Sequence, residues 1–329
     1  MQIKNDVESK PDLKSKYVRS VIKLGNSKAI TFPQDWTINA ELDEKSEVSL
    51  YPIDKKTIVI RAEKDKPKTI FTIDSNKWAT KLIRQAIIAA YKLNISEVYI
   101  KYTNKNQEEL NKLLIDLRSE IIGLDFKTLA ESEEFLVHFL LDTAKMPFKE
   151  VLTDLSFVFT NVINNVIEGN NKKNNELILD EIDRKYSLGT RILITGLSDY
   201  PISKGYSNFP TIRYLGDRVI LLYVRDFINE ALNLQVVSNN VIKKYSDLLI
   251  RIPRLLTQII LNYDNINLDS ISEFQEYLIK LGNMLNNIKS AENIEEQHTR
   301  NIIKYYLNSF ENFFDIGITR LIESEIGMV

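Results

Sequence analysis

The sequence predicts a multidomain, mainly α-helical chain. A small β module stands at the front, an α/β sandwich of βαβαββ order follows, and two three-helix bundles complete it. Three observations carry this reading. Only 10 Gly and 8 Pro occur among 329 residues, so tight turns are few and elements long. The apolar pattern is strand-like over residues 17–61, mixed up to about residue 144, and helical from Pro147 onward. The length exceeds one ordinary core, which points to two or three domains.

The elements follow in order. Residues 1–16 are polar and read as a flexible basic arm. Tyr17–Leu24 is β-branched and partly alternating, Gly25-Asn26-Ser27 is turn chemistry, and Ala29–Phe32 is a second strand stopped by Pro33. Glu47–Tyr51 and Thr57–Ile60 form another pair. Two hairpins in residues 17–64 are too little chain to bury a core alone, so this module needs a partner chain. Lys64–Lys68 is a charged linker. Residues 68–144 then give a strand at Thr69–Ile73 and a helix capped by Asp74 or Ser75 that runs to Lys92. A strand at Glu97–Tyr102, a helix at Gln107–Ile121, and strands at Asp125–Leu129 and Glu134–Leu141 follow. Residues 145–329 read as helices near 147–168, 172–199, 210–237, 239–263, 270–290 and 295–326, grouped as bundles 145–237 and 238–329. Breaks fall at Gly169-Asn170-Asn171, Pro201–Pro210 and Asp264–Asp269, and Pro253 is expected to kink the fourth helix.

Composition removes several chemistries. With no Cys there is no disulfide, thiolate metal site or Cys nucleophile, and His138 and His298 are the only imidazoles. Any metal would be a hard divalent or ferric ion held by carboxylates. No phosphate-cradling Gly-rich loop, Gly-x-Gly-x-x-Gly or Gly-x-Ser-x-Gly occurs, so no enzyme is expected. The longest apolar stretches, Ala86–Tyr91 within Ile83–Tyr91, and Val219–Val224, fall short of the roughly 20 residues of a spanning helix. The polar start carries no apolar signal core, and the expectation is a cytoplasmic chain without membrane insertion.

The net charge of −2 conceals an asymmetry. Leu13–Gln34 has no acidic residue and five basic ones, Lys14, Lys16, Arg19, Lys23 and Lys28. Asn262–Val329 has eleven acids against five bases. Basic side chains on a twisted ribbon suit the phosphates of a duplex. Arg19, Lys23 and Lys28 are the expected contacts, with Lys16 adding charge and Asn26 and Ser27 donating to phosphates or base edges. The other reading of this segment is a solvated hairpin face.

Asp180 and Asp183 share a helix face, as do Glu311 and Asp315 at i and i+4. Either pair could hold a hard cation, or be an exposed acidic face balanced by neighbours such as Arg184 and Lys185. His138 is expected to be structural and His298 to lie at the surface. The 15 Tyr and 14 Phe read as core at helical spacing rather than as a stacking platform.

The run Arg19-Ser20-Val21-Ile22-Lys23-Leu24-Gly25-Asn26-Ser27-Lys28-Ala29-Ile30-Thr31-Phe32-Pro33 resembles the AbrB/SpoVT swapped-hairpin DNA-binding domain. Gln34–Asn39 stands where that family has its short helix, and Leu42–Val48 where it has an acidic turn, with Ser46 in place of Gly. The rest is similar to archaeal PhoU-like phosphate-uptake regulators. The similarity rests on Ile121-Ile122-Gly123-Leu124-Asp125, Leu179-Asp180-Glu181-Ile182-Asp183-Arg184, Val224–Ile228 and Glu311–Asp315. The resemblance implies a homodimer joined through the N-terminal domain, binding to double-stranded DNA, and carboxylate-held metal on the bundles. Leu179, Val224 and Ile228 stand where the family has carboxylates, which leaves Glu311, Asp315, Asp180 and Asp183. The function implied is a DNA-binding transcriptional regulator of phosphate-responsive genes. The alternative is a signalling adaptor that docks on a phosphate transporter or kinase without binding DNA.

Overall fold

The computed structural model describes residues 16–52, 55–62, 68–143, 146–169, 175–198, 212–236, 239–261, 266–287 and 294–325. The basic arm before Lys16, the linker at 64–67 and the expected breaks at 170–171, 201–210 and 264–265 lie outside the described residues. The chain forms two compact units, 1–67 and 68–329.

The first unit holds two antiparallel hairpins and one short helix. Strands β1 (Ile22–Leu24) and β2 (Ser27–Ala29) pair, as do β3 (Val48–Pro52) and β4 (Ile58–Ala62), with helix α1 (Gln34–Asn39) between the hairpins. The first hairpin is shorter than the strands expected over Tyr17–Leu24 and Ala29–Phe32. Its loop is two residues long, Gly25 and Asn26, so Ser27 opens the second strand opposite Leu24 instead of belonging to the turn. Gly25 has φ +59°, the left-handed value a two-residue hairpin loop needs at its first position, which favours a residue without Cβ. None of the described residues of this unit is buried.

The second unit begins with a four-stranded sheet. Strands β5 (Ile70–Asp74), β6 (Glu97–Lys101), β7 (Leu124–Leu129) and β8 (Glu134–Phe139) lie in the order β5-β6-β8-β7. The pair β5–β6 is parallel, joined through helix α2 (Thr80–Lys92), while β8 runs antiparallel to both β6 and β7. Helix α3 (Gln107–Glu120) connects β6 to β7. Helix α2 starts at Thr80 and not at the caps expected at Asp74 or Ser75. Asp74 ends β5 opposite Lys101, and its carboxylate accepts the backbone N–H of Asn76, which holds its pKa down and turns the chain before any helix begins. The sheet and its two helices bury one core that includes Ile73, Ile83, Ile87, Leu114, Leu117 and Val137.

Among the described residues seven α-helices follow: α4 (Phe148–Glu168), α5 (Asn175–Ser198), α6 (Ile212–Asn233), α7 (Asn239–Leu249), α8 (Arg251–Leu261), α9 (Leu268–Asn287) and α10 (Ile294–Glu325). The single helix expected over 239–263 is two, α7 and α8, broken at Ile250. Pro253 does not kink a continuous helix. It falls at the third residue of α8, in the first turn, where a missing N–H costs nothing because the first N–H groups have no intrahelical partner. None of the helices in the described residues is long and apolar enough to cross a membrane.

All seven helices draw on one apolar core. Helix α4 packs against α5, α6, α7 and α8, so residues 145–237 and 238–329 meet along it instead of enclosing separate interiors. Phe227 of α6 shows why. Its ring stacks on Tyr306 at 5.0 Å and lies edge-on to Phe310 at 5.0 Å, Phe313 at 5.7 Å and Phe159 of α4 at 6.1 Å. The Tyr306 hydroxyl donates to the Phe227 carbonyl at 3.1 Å, satisfying the one polar atom this ring cluster encloses. Total burial pushes the Tyr306 pKa well up.

Two features set how closely the helices approach. A Cβ on Gly196 of α5 would lie 2.5 Å from the Tyr214 ring of α6, so this crossing requires glycine. Three residues beyond Tyr214 in α6, Asp217 accepts from Arg320 of α10 at 2.7 Å, with side chains 1 % and 5 % exposed. Breaking such a pair from one side strands a buried charge, at a cost of about 3–5 kcal/mol. Arg320→Met is therefore expected to destabilise the protein by that amount in urea titrations. The double variant Arg320→Met/Asp217→Leu should recover much of the loss.

Candidate nucleic-acid interface and carboxylate sites

The first hairpin has two unlike faces. Cross-strand partners project to the same side, and successive residues alternate. Lys23 pairs directly with Lys28, so two cations stand together on one face. Ile22 and Leu24, 49 % and 67 % exposed, occupy the other, with Ala29 opposite Ile22. Like charges directly opposed weaken a ladder by roughly 0.2–1 kcal/mol. An anion lying between them would reverse that sign.

Of the other residues expected to bind DNA, Asn26 closes the turn, and Ser27 opens β2 opposite Leu24, on the Ile22–Leu24 face; both are exposed. Arg19 and Lys16 precede β1 and line a cleft of about 430 Å³ with Tyr17, Phe32, Trp36 and Ile60. The cleft is shaped by Phe32 and Trp36, whose rings lie 5.0 Å apart, and by Tyr17, whose hydroxyl donates to Asp35 at 2.8 Å. The hairpin thus presents Lys23, Lys28, Asn26 and Ser27 at its tip, while Arg19 and Lys16 sit beside the aromatic cleft of the same unit.

The carboxylates expected to hold metal are not brought together. Glu311 and Asp315 lie exposed on α10. Asp180 and Asp183 lie on α5, where Asp183 accepts from Arg225 Nε of α6 at 2.8 Å. Their neighbour Glu181 pairs with Arg184 at 3.4 Å and Lys185 at 3.8 Å, and Lys185 also reaches Asp154. Among the described residues, no three His, Asp or Glu side chains converge on a point that could hold a metal ion. Asp180 and Asp183 open onto a cleft whose other charged lining residues are Arg84, Lys92, Arg225 and Glu120.

The imidazoles are placed by packing. His138 faces Asp125 across the β7–β8 ladder with Nε2 3.7 Å from the carboxylate, a structural position. His298 is not at the surface as expected, for α10 turns it partly inward and encloses its Nε2.

The Arg84–Lys92–Arg225 cleft is the feature the sequence reading missed. Its signal was present as spacing: Arg84, Ile88 and Lys92 recur every four residues along one stripe of α2, and Arg218 and Arg225 lie seven apart on α6. No family model, curated protein or solved structure matches the chain.

The opposed lysines make a stability prediction independent of any ligand. Lys23→Glu, which places opposite charges across the ladder, should raise the stability of the first unit by about 0.2–1 kcal/mol at low salt. Thermal melting with and without 0.5 M NaCl checks this, because added salt should erase the gain.

Proposed function

We propose that the protein is a homodimeric, DNA-binding transcriptional regulator in which the hairpin unit holds duplex DNA and the helical region senses a signal or docks a partner. The observation that carries this reading is the two-faced hairpin. Its Lys23–Lys28 face suits phosphates, and its Ile22–Leu24 face has no cover within its own unit.

Dimerisation is supported by what the first unit lacks. None of its described residues is buried, and Val18, Val21, Leu24, Leu50 and Ile58 are each more than half exposed. A module of this size cannot hold its hairpins together without an interior. A second copy supplies both an apolar cover and a ladder partner for Tyr17–Val21 and Ile30–Phe32, which read as strand in sequence and make no ladder within the described chain. Pairing two copies also doubles the basic face, which the similarity to swapped-hairpin domains leads one to expect. The PhoU-like motifs support phosphate-responsive genes as the regulated set.

Two experiments test the reading. In a duplex-retention titration at 50 and 200 mM salt, the wild-type protein should bind with a steep salt dependence. Arg19→Ala/Lys23→Ala/Lys28→Ala should weaken binding and flatten the slope of log affinity against log salt by about 0.9 for each phosphate contact removed. Equal retention by both proteins would overturn the regulator reading and favour a docking adaptor. For the dimer, Leu24→Asp should convert the species seen by sedimentation from dimer to monomer and lower the melting temperature of the first unit.

A further inference from the structure

The cleft between the sheet-covering helices and the helical region has the chemistry of an anion site. It encloses about 290 Å³ and is lined by Arg84 and Lys92 of α2, Glu120 at the end of α3, Asp180 and Asp183 of α5, and Arg225 of α6. Two of the three cations are already matched. Arg84 pairs with Glu120, and Arg225 with Asp183. Each guanidinium has five N–H donors in a planar fork, so a single carboxylate leaves several donors open to a ligand.

Lys92 is the unmatched member. Among the described residues its ammonium makes no ion pair or hydrogen bond, and it rests over the Tyr186 ring at 4.9 Å. Arg225 covers the same ring at 4.8 Å, so Tyr186 holds two cations at one mouth of the cleft. Burial lowers the Lys92 pKa, and Arg225 and Arg218 lower it further, with Asp183 opposing. A half-buried ammonium with no ion-pair partner is a costly arrangement in the free protein, and a bound anion offsets the cost.

We propose that this cleft binds a small, multiply charged oxyanion of the phosphoryl class, held by Lys92 with the open donors of Arg84 and Arg225. The volume sits at the small end of ligand pockets, suited to a phosphate or a compact phosphorylated metabolite rather than a polymer. Cations from two elements, Arg84 and Lys92 of α2 and Arg225 of α6, suit an oxyanion with several acceptor oxygens better than a single carboxylate. Asp180 lies in the lining and acts against the anion, which sets a sign that a cation site would reverse. The site involves no residue of the first unit, so it stands whether or not the protein binds DNA.

The test is calorimetric titration of the full chain with inorganic phosphate, with pyrophosphate, and with Mn²⁺, each at matched ionic strength. The expected result is saturable binding of at least one of the two phosphates, weakened at least tenfold by Lys92→Met and retained by Lys92→Arg. Asp180→Asn should tighten it. Arg19→Ala/Lys23→Ala/Lys28→Ala should leave it unchanged, which separates this site from the DNA face. Circular dichroism melting identifies any variant that has lost its fold, and Asp180→Asn, on the exposed rim, then decides the sign alone. Absence of saturable phosphate and pyrophosphate binding would overturn the proposal. So would Mn²⁺ binding that Asp180→Asn abolishes, or phosphate binding that Asp180→Asn weakens.

Discussion

One buried guanidinium fastens the second unit together. Arg191 of α5 is 4 % exposed and crosses from the helical region to the sheet layer, where it donates to the Tyr91 carbonyl at 2.8 Å. The Tyr91 and Phe139 rings lie within 4.9 and 5.2 Å of it. Burial pushes the Tyr91 hydroxyl up to about 12 and Arg191 down, each tempered by the other. Arginine cannot shed its proton to escape this environment, so the charge is kept by the carbonyl and the two ring faces. The sheet and the helices have separate apolar cores, and this contact fixes where α2 lies against α5. The positions of Arg84 and Lys92 opposite Asp180 and Asp183 follow from that docking, and with them the cleft.

The first unit is governed by the opposite condition, an interior it does not have. Its first hairpin is amphipathic in the ordinary period-2 sense, but none of the described residues on its apolar side is buried. On this short ribbon Lys23 and Lys28 occupy one face, and Ile22 and Leu24 the other.

Much of this architecture could be read in advance. The βαβαββ order, the long helices and their apolar stripes are local properties, written in spacing such as Leu110, Leu114 and Leu117 on α3. Errors fell where a long-range partner decides. Asp74 resembles a helix cap until Lys101 claims it for the sheet. The stretch from Asn239 to Leu261 keeps its apolar period through Ile250, yet α7 and α8 pack separately on α4. The carboxylates of α5 read in sequence either as a cation pair or as an exposed acidic face beside Arg184 and Lys185; that Arg225, forty-two residues on, takes Asp183 is not visible there.

By itself the sequence determined the class of each segment, the basic front and acidic back, and the absence of thiol and clustered-imidazole chemistry, because these depend on composition and on neighbours within a few residues. Only the tertiary structure decided that the helices share one core through Phe227, that Lys23 faces Lys28 at the hairpin tip, and that cations from α2 and α6 converge on the carboxylates of α5. Those outcomes rest on which surfaces bury one another. Packing of that kind joins residues far apart in the chain, and no local pattern records it.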